Sequence, residues 1–445
     1  MPAAAMLTPE AWSGSLATVT ATDTNVDPNV VEVTLRATPA EIEYLPGKRT
    51  TAWTYGGTVP GPTIRAKLGD RILVHFRNDL PEPTTIHWHG LRLPNAMDGA
   101  GPAATPIPPG GTFDYAFDAL DAGTYWYHPH VASNEQVDRG LYGAIVIDDP
   151  AEPALPVVAD EMVVLDDVML DAATGVQTAM KDDERALMMG LEGNLALVNG
   201  RRSNVGVAVR AGEWRRLRLL SSANARYFKL SLAGGTMIQL ATDGTLLEAP
   251  APVSELLLVP GERADVVVRV DSASNTATLR AVPYARAVGS EPTTAIDLVR
   301  LVASAEPPVD VKMPAALRPH SPLSPSSKTR TIRLGERTDG ARPVFLINDA
   351  AFPAVPTIDA KLGSVEEWAI QNESDMDHPF HLHGFFFQPV DTRVRKDTVN
   401  VPAKTTVRLL VDFHAHAGAA GSWMYHCHIL EHAEGGMLAE VMVNE

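Results

Sequence analysis

Apolar and polar positions alternate every second residue in several stretches of this chain, as in Val31–Arg36 (VEVTLR) and Arg71–Phe76 (RILVHF). A period of two is the signature of a β-strand, because successive side chains point to opposite faces. Ala144–Asp148, Glu213–Leu220, Ala264–Val270 and Thr405–Phe413 are rich in Val, Ile, Thr and Leu and also read as strands. Gly, Pro, Asp and Asn separate these runs, and helical periodicity is scarce. Many short strands between turn signals predict an all-β protein built from sandwiches or barrels.

A weak internal repeat divides the chain into three. A strand, a Gly turn and a second strand recur at Lys67–Val74, Val209–Leu217 and Lys361–Trp368. The spacing is about one domain. The expected organisation is a first domain over 1–150, a second over 151–306, and a third over 329–445. Residues 307–328 contain Pro314, Pro319, Pro322 and Pro325 and read as an extended linker rather than packed structure.

Composition narrows the choice of function. The chain has 445 residues, 45% hydrophobic and 20% charged, with 37 Lys and Arg against 54 Asp and Glu, a formal charge of −17. Such acidity repels phosphate backbones and anionic membrane surfaces, so no nucleic-acid partner is expected, and no apolar run is long enough for membrane insertion. The N-terminal MPAAAMLTPEAW lacks the basic and apolar regions of an intact signal peptide. The protein therefore works inside the cell, or is secreted or periplasmic after loss of an export signal. Cys427 is the one cysteine. It cannot form an internal disulfide, which leaves apolar filler, nucleophile or metal ligand.

The histidines decide among these. There are 14, and chance would supply well under one H-x-H pair, yet the chain has five: His87/His89, His128/His130, His381/His383, His414/His416 and His426/His428. Four sit in the dense contexts TIHWHG, TYWYHPH, HPFHLHG and YHCHILEHAEGGM, two in the first third and two in the last; residues 151–306 contain none. On a strand, residues i and i+2 share a face while i+1 faces away. Four pairs can thus offer eight imidazoles to one volume between two domains, more than a four-coordinate zinc can use. In His426-Cys427-His428 the thiol points away from that volume. His432 follows Cys427 by five residues and Met437 by ten, and His378, three before His381, also points away from the His381/His383 face. One Cys, two His and a weak axial Met form the blue-copper ligand set.

With these motifs the whole chain resembles the multicopper oxidases, in particular their three-domain laccase-like branch. The resemblance implies three consecutive cupredoxin-like Greek-key domains and four copper ions. It implies a type 1 copper held by His378, Cys427 and His432 with Met437 axial, a type 2 copper on His87 and His381, and a type 3 pair on His89, His128, His130, His383, His426 and His428. It further implies that single electrons enter near an exposed edge of His432 or His378 and pass through Cys427 to its neighbours, where O2 is reduced to water. A small phenolic or aromatic reductant is expected, with Cu(I) as the alternative. The axial Met implies a lower potential than Phe or Leu would give. Asp98, in LPNAMDGAG, matches an acidic residue that supplies protons; its other reading is a turn Asp before Gly99. The chain departs from many bacterial relatives at Ala433, where they carry Glu; Glu434 follows one position later, and Glu431 is either a substitute or a solvated surface residue.

Other candidates weigh less. His414/His416 read as loop, His75 as structural and His320 as solvated. Met180, Met188 and Met189 are a sparse cluster, better suited to packing than to collecting Cu(I). A non-enzymatic structural protein on the same scaffold would have lost copper ligands, and this chain keeps them. A monomer is expected, because the first and third domains of one chain can enclose the cluster.

Overall fold

In the computed structural model, residues 5–178, 184–271, 274–290, 293–323, 328–339 and 342–445 are described. Among them are six β-sheets and three short α-helices: α1 (Ser133–Asp138), α2 (Glu184–Met189) and α3 (Leu430–Glu434). No helix is long and apolar enough to cross a membrane. The protein is all-β with a cupredoxin-like architecture.

The sheets come in pairs along the chain. Two four-stranded sheets use residues 30–148, a seven-stranded and a six-stranded sheet are built mainly from 157–303, and two five-stranded sheets use 328–444. Alternation explains how each pair closes. Along Arg71–Asn78, Ile72, Val74 and Phe76 are buried while Arg71, His75 and Arg77 face outward. The inward side chains meet those of the facing sheet, such as Ile64, Tyr125 and Ile145, in one core cluster. That cluster runs on without a break into Ile332, Trp368, Phe380 and Tyr425 of the last pair of sheets. The middle pair has its own core around Leu217, Val266, Leu279 and Val299.

The sequence repeat is a repeated crossover between sheets. In each third, the residues before the Gly turn end a strand that runs parallel to the third's last strand. These partners are Gly61–Lys67 with Gly143–Asp148, Val205–Val209 with Ile296–Ala303, and Ile358–Lys361 with Leu438–Asn444. The residues after the turn begin a strand parallel to the third's first long strand: Arg71–Asn78 with Val30–Leu45, Trp214–Ser221 with Val157–Val168, and Val365–Asn372 with Lys328–Asp339. The turn glycines Gly69, Gly212 and Gly363 have φ of 92°, 82° and 74°. A left-handed turn residue is what lets the chain change sheets here without a Cβ clash.

The Pro-rich stretch is extended but docked. Val311, Met313 and Leu317 pack against Trp214 and Leu246, the Trp214 indole N–H donates to the Val311 carbonyl at 2.6 Å, and the Leu317 N–H donates to the Glu248 carbonyl at 2.8 Å. Apolar residues between the prolines drive this contact, which corrects the expectation of an unpacked linker. His320 is likewise not free in solvent: its ring bonds to the Leu246 carbonyl.

His75 stands on the outer sheet face between Glu32 (2.9 Å) and Asp114 (2.8 Å). Hydrogen bonds to Asp114 and then Glu32 raise its pKa. A raised folded pKa contributes stability below the unfolded value, about 6.5, that is lost as pH rises through the folded value. Thermal melts should therefore show His75→Gln destabilised at about pH 5.5 and nearly indistinguishable from the parent at about pH 9. Equal differences at both pH values would disprove this linkage.

Candidate metal centre

Two short strands carry the histidines from opposite ends of the chain. His87–His89 is the edge strand of its sheet and pairs with Gly123–His128, which sets His87 opposite His128. His378–Leu382 pairs with Gly421–Cys427, which sets His381 opposite His426. The alternation expected from the sequence holds on His87–His89, while His130, His383 and His428 lie just past the ends of their strands. Trp88 turns back into its own core against Phe117 (5.0 Å between ring centroids) and Tyr115 (5.2 Å), leaving His87 and His89 on the other face. The two histidine-bearing segments meet ring to ring. His87 stacks on His383 at 3.8 Å, and His89 stacks on His381 at 3.7 Å with 8° between planes.

Eight imidazoles thereby converge. Three groups have ligand atoms within 4.8 Å of one another: His87, His89 and His381; His89, His128 and His428; and His130, His383 and His426. All eight are essentially buried except His130, which is half-buried. A fourth group, His378, Cys427 and His432, lies on the opposite face of the Gly421–Cys427 strand, with Cys427 Sγ 3.4 Å from His378 Nδ1 and 3.6 Å from His432 Nδ1. Met437 adjoins this group through the main chain: its carbonyl accepts from the Cys427 N–H at 3.1 Å, and its N–H donates to the His432 carbonyl at 2.9 Å.

The donor chemistry fits metal. Nδ1–H of His87, His128, His381 and His426 donates to the carbonyls of Asp98, Pro129, Asp397 and Cys427 at 2.8–3.1 Å. Such bonds fix the tautomer and leave the second nitrogen as a lone pair. Nε2 of His87, His128 and His381, Nδ1 of His89 and both nitrogens of His428 have no hydrogen-bond partner. Each buried polar atom left so costs about 1–3 kcal/mol unless something takes the lone pair. His383 Nε2 and His426 Nε2 face each other at 3.0 Å, although both rings commit Nδ1–H elsewhere. His378 Nδ1 and His432 Nδ1 also face each other, at 3.2 Å, while Nε2 of each ring is bonded elsewhere. Opposed lone pairs at that distance call for a cation between them. Burial, followed by neighbouring histidines, lowers the pKa of His89, His128 and His383, and takes His130 down to about 3. Burial likewise lowers His378 to about 3 and pushes the Cys427 thiol up. These five rings are thus neutral, the form that binds metal, while the thiol needs a cation to ionise.

Asp98 lies in a turn and also reaches the cluster. Gly99 has φ 71° and fits against the Ile86 carbonyl, so Asp98–Gly99 is a turn. That turn buries the Asp98 carboxylate, with Oδ2 3.0 Å from His383 Nδ1 and Oδ1 3.2 Å from His87 Nδ1. Glu434 lies beside a cavity of 480 Å³ lined by His128, His130, His426 and Met424; its Oε1 accepts from the N–H and hydroxyl of Ser133 in α1 at 2.7 and 2.8 Å. Glu431 is not a solvated residue: Oε1 accepts from Asn224 at 2.8 Å, and Oε2 is buried without a hydrogen-bond partner.

One expectation fails outright. Neither His378 nor His432 has an exposed edge, since both are fully buried. Phe345 stacks on His432 at 3.9 Å, and His432 Nε2–H donates to the Met188 carbonyl of α2 at 3.0 Å. The sparse Met cluster thus acts through a main-chain carbonyl; Met180 lies outside the described residues. His378 Nε2 is closed off by the Ser374 hydroxyl at 2.8 Å. His416 is tied to the Leu93 carbonyl at 3.1 Å and stands apart from the cluster, while His414 is exposed.

Sequence reasoning missed Asp397 and Arg263. Asp397 Oδ1 is 3.1 Å from His89 Nε2, and Arg263 grips the same carboxylate at 2.7 and 2.6 Å. Burial alone would raise the Asp397 pKa, and the Arg263 guanidinium more than reverses this, so it stays ionised. Lys396 and Asp397 sit in the charged stretch Asp391–Asp397 (DTRVRKD), where nothing in the sequence sets one carboxylate apart.

Comparison with known proteins agrees with this geometry. Multicopper oxidase family profiles match residues 36–152, 160–298 and 322–445. The chain belongs to the multicopper oxidases. It is therefore a copper-using oxidoreductase that takes electrons from a reducing substrate and delivers them to O2. It is 33% identical to the multicopper oxidase MmcO of Mycobacterium tuberculosis, over 92% of this chain and 86% of that protein. It superposes on a Campylobacter jejuni multicopper oxidase described as a metallo-oxidase, with a TM-score of 0.87 and 29% identity over 100% of this chain and 98% of the other. A laccase from Pediococcus acidilactici gives a TM-score of 0.85 at 28% identity over 99% and 95% of the two chains.

Proposed function

We propose that the protein is a four-copper, laccase-like oxidase of small phenolic or aromatic reductants. The observation that carries this reading is the split of strand Gly421–Cys427: Cys427 joins His378 and His432 on one face, while His426 and the following His428 join the histidine cluster on the other. In the proposed assignment His378, Cys427, His432 and Met437 would hold the type 1 copper. His89, His128 and His428 hold one type 3 copper, and His130, His383 and His426 hold the other. His87 and His381 hold the type 2 copper. Copper there would supply one-electron oxidation of the reductant at the Cys427 end and four-electron reduction of O2 to water at the other.

The chain's own residues place and feed these centres. Cys427 is bonded through the main chain to His426 and His428, which shortens the path between the two groups. Asp98, with Oδ1 unpartnered and both oxygens against cluster histidines, is placed to hold and pass a proton. Asp98→Asn keeps the turn and removes that capacity. O2 uptake should fall by about 10²–10⁴-fold, while anaerobic reduction of the blue centre keeps its rate. Unimpaired uptake would remove the role.

A second reading, metal-ion oxidase, is favoured by the covering of His432 by α2 and Phe345. A bulky phenol cannot touch that ring while the Met188 carbonyl caps it, whereas a small ion such as Cu(I) needs no such contact. Oxygen uptake with 2,6-dimethoxyphenol, bilirubin, Cu(I) and Mn(II) separates the two. Phenol turnover above that of either ion is expected from the first reading; Cu(I) or Mn(II) turnover with negligible phenol oxidation would replace it with the second.

A further inference from the structure

The middle third of the chain contributes no histidine, yet it reaches the cluster at two points. Gly261, in the turn before the strand Arg263–Val270, lies so close to His428 that a Cβ would stand 2.8–2.9 Å from its ring. Arg263, wholly buried, touches all three thirds. Its Nε donates to the Thr124 carbonyl at 3.0 Å, its own N–H donates to Asp243 at 3.0 Å, and its two terminal nitrogens fork onto Asp397. Asp397 in turn accepts from His89 Nε2–H at 3.1 Å, with the Thr398 hydroxyl at the same distance.

His89 differs from the rings whose Nδ1–H is held by a main-chain carbonyl and whose Nε2 is thereby presented inward. A carbonyl in a strand or turn is fixed by the fold. His89 is turned the other way: Nε2–H is held, and Nδ1 is the unpartnered nitrogen. Its acceptors are side chains, and a carboxylate rotates unless something grips it. The fork supplies that grip, because a guanidinium binds both oxygens of a carboxylate in one plane.

We propose that Arg263 is a positioning residue of the histidine cluster, its two-pronged hold on Asp397 aiming that carboxylate at His89 and so presenting Nδ1 of His89 to the metal volume. This rests on the assignment of His89 to a copper. It makes the histidine-free middle third a working part of the O2-reducing site rather than a spacer.

The test is copper titration of Arg263→Met, Asp397→Asn, the double variant and Glu262→Gln. It is read as copper per chain, blue absorption from the Cys427 centre, the magnetic resonance signal of the remaining copper, and the melting midpoint of the copper-free protein. Each single variant should bind copper at the histidine cluster about 10–100-fold more weakly, with the blue absorption unchanged. The double variant leaves no unpaired buried charge, and the amide oxygen that replaces the carboxylate can still accept from His89, so it should recover part of the loss. It also decides the matter should a single variant fail to fold. Glu262→Gln breaks the neighbouring Lys396 pair (2.6 Å) without touching Asp397 and should keep the full complement. Full retention in Arg263→Met, or equal loss of blue and cluster copper, would overturn the proposal. An unsubstituted protein that takes up only the blue copper would instead overturn the ligand assignment.

Discussion

Cys427→Ser should abolish O2 consumption with every reductant while leaving the fold and the histidine cluster intact. The substitution is small, and the site already offers a partner, since the Ile429 N–H lies 3.4 Å from Sγ. What changes is the donor. A thiolate is soft, charged and selective for copper, whereas a serine hydroxyl stays protonated and is a poor ligand. His378 and His432 remain with two imidazoles and no anionic donor. The expected protein is colourless in the visible, carries one copper fewer per chain, and consumes O2 at the background rate. His426 and His428 keep their places, so the magnetic resonance signal of the cluster copper should persist. A Cys427→Ser protein that stays blue or turns over would refute the assignment of the thiol.

The second large effect falls on stability. Gly90 closes the HWHG motif and has φ 86°. A Cβ there would run into Arg263 Nη2 and lie 2.7 Å from Asp397 Oδ2. The guanidinium cannot swing aside, because it is fully buried and bonded to Thr124, Gly261 and Asp397. Gly90→Ala combines a left-handed backbone penalty of about 1–2 kcal/mol with overpacking of about 1–3 kcal/mol, so roughly 2–5 kcal/mol of stability should go. Denaturant unfolding of the copper-free protein measures this directly. An unchanged midpoint would show that the ion pair can move, and would count against the rigidity assigned to it.

Parts of this molecule could be read from its sequence because they obey short periods. Strand alternation at period two places His87 and His89 on one face, and His426 and Cys427 on opposite faces; His130, His383 and His428 fall just past the ends of their strands. The three Gly-turn elements marked the repeated crossover for the same reason: a strand, a left-handed residue and a strand leave a local trace. What could not be read lies in long-range pairing. Arg263 and Asp397 are 134 residues apart, and an arginine in a strand has many uses. The cap on His432 comes from a backbone carbonyl of α2, which has no residue signature. The docking of the Pro-rich stretch depends on which surface Val311 and Leu317 meet, and composition alone does not name that surface.

The face-to-face stacking of histidines from the first and last thirds has a consequence for how the protein is made. Asp98 and His383, which touch in the finished site, are 285 residues apart. At about 5–20 residues per second, the ribosome needs roughly 15–60 seconds between them. Until His383 is made, His87, His89, His128 and His130 lack their partners from the last third, and on the proposed assignment they would offer only half a socket, open to other divalent ions. Intrinsic affinity among such ions follows a general order rather than the protein's needs, so it gives little protection against a wrong metal. On the proposed assignment the socket is complete, and specific for its metal cluster, only once the last stretch of chain has arrived to close it.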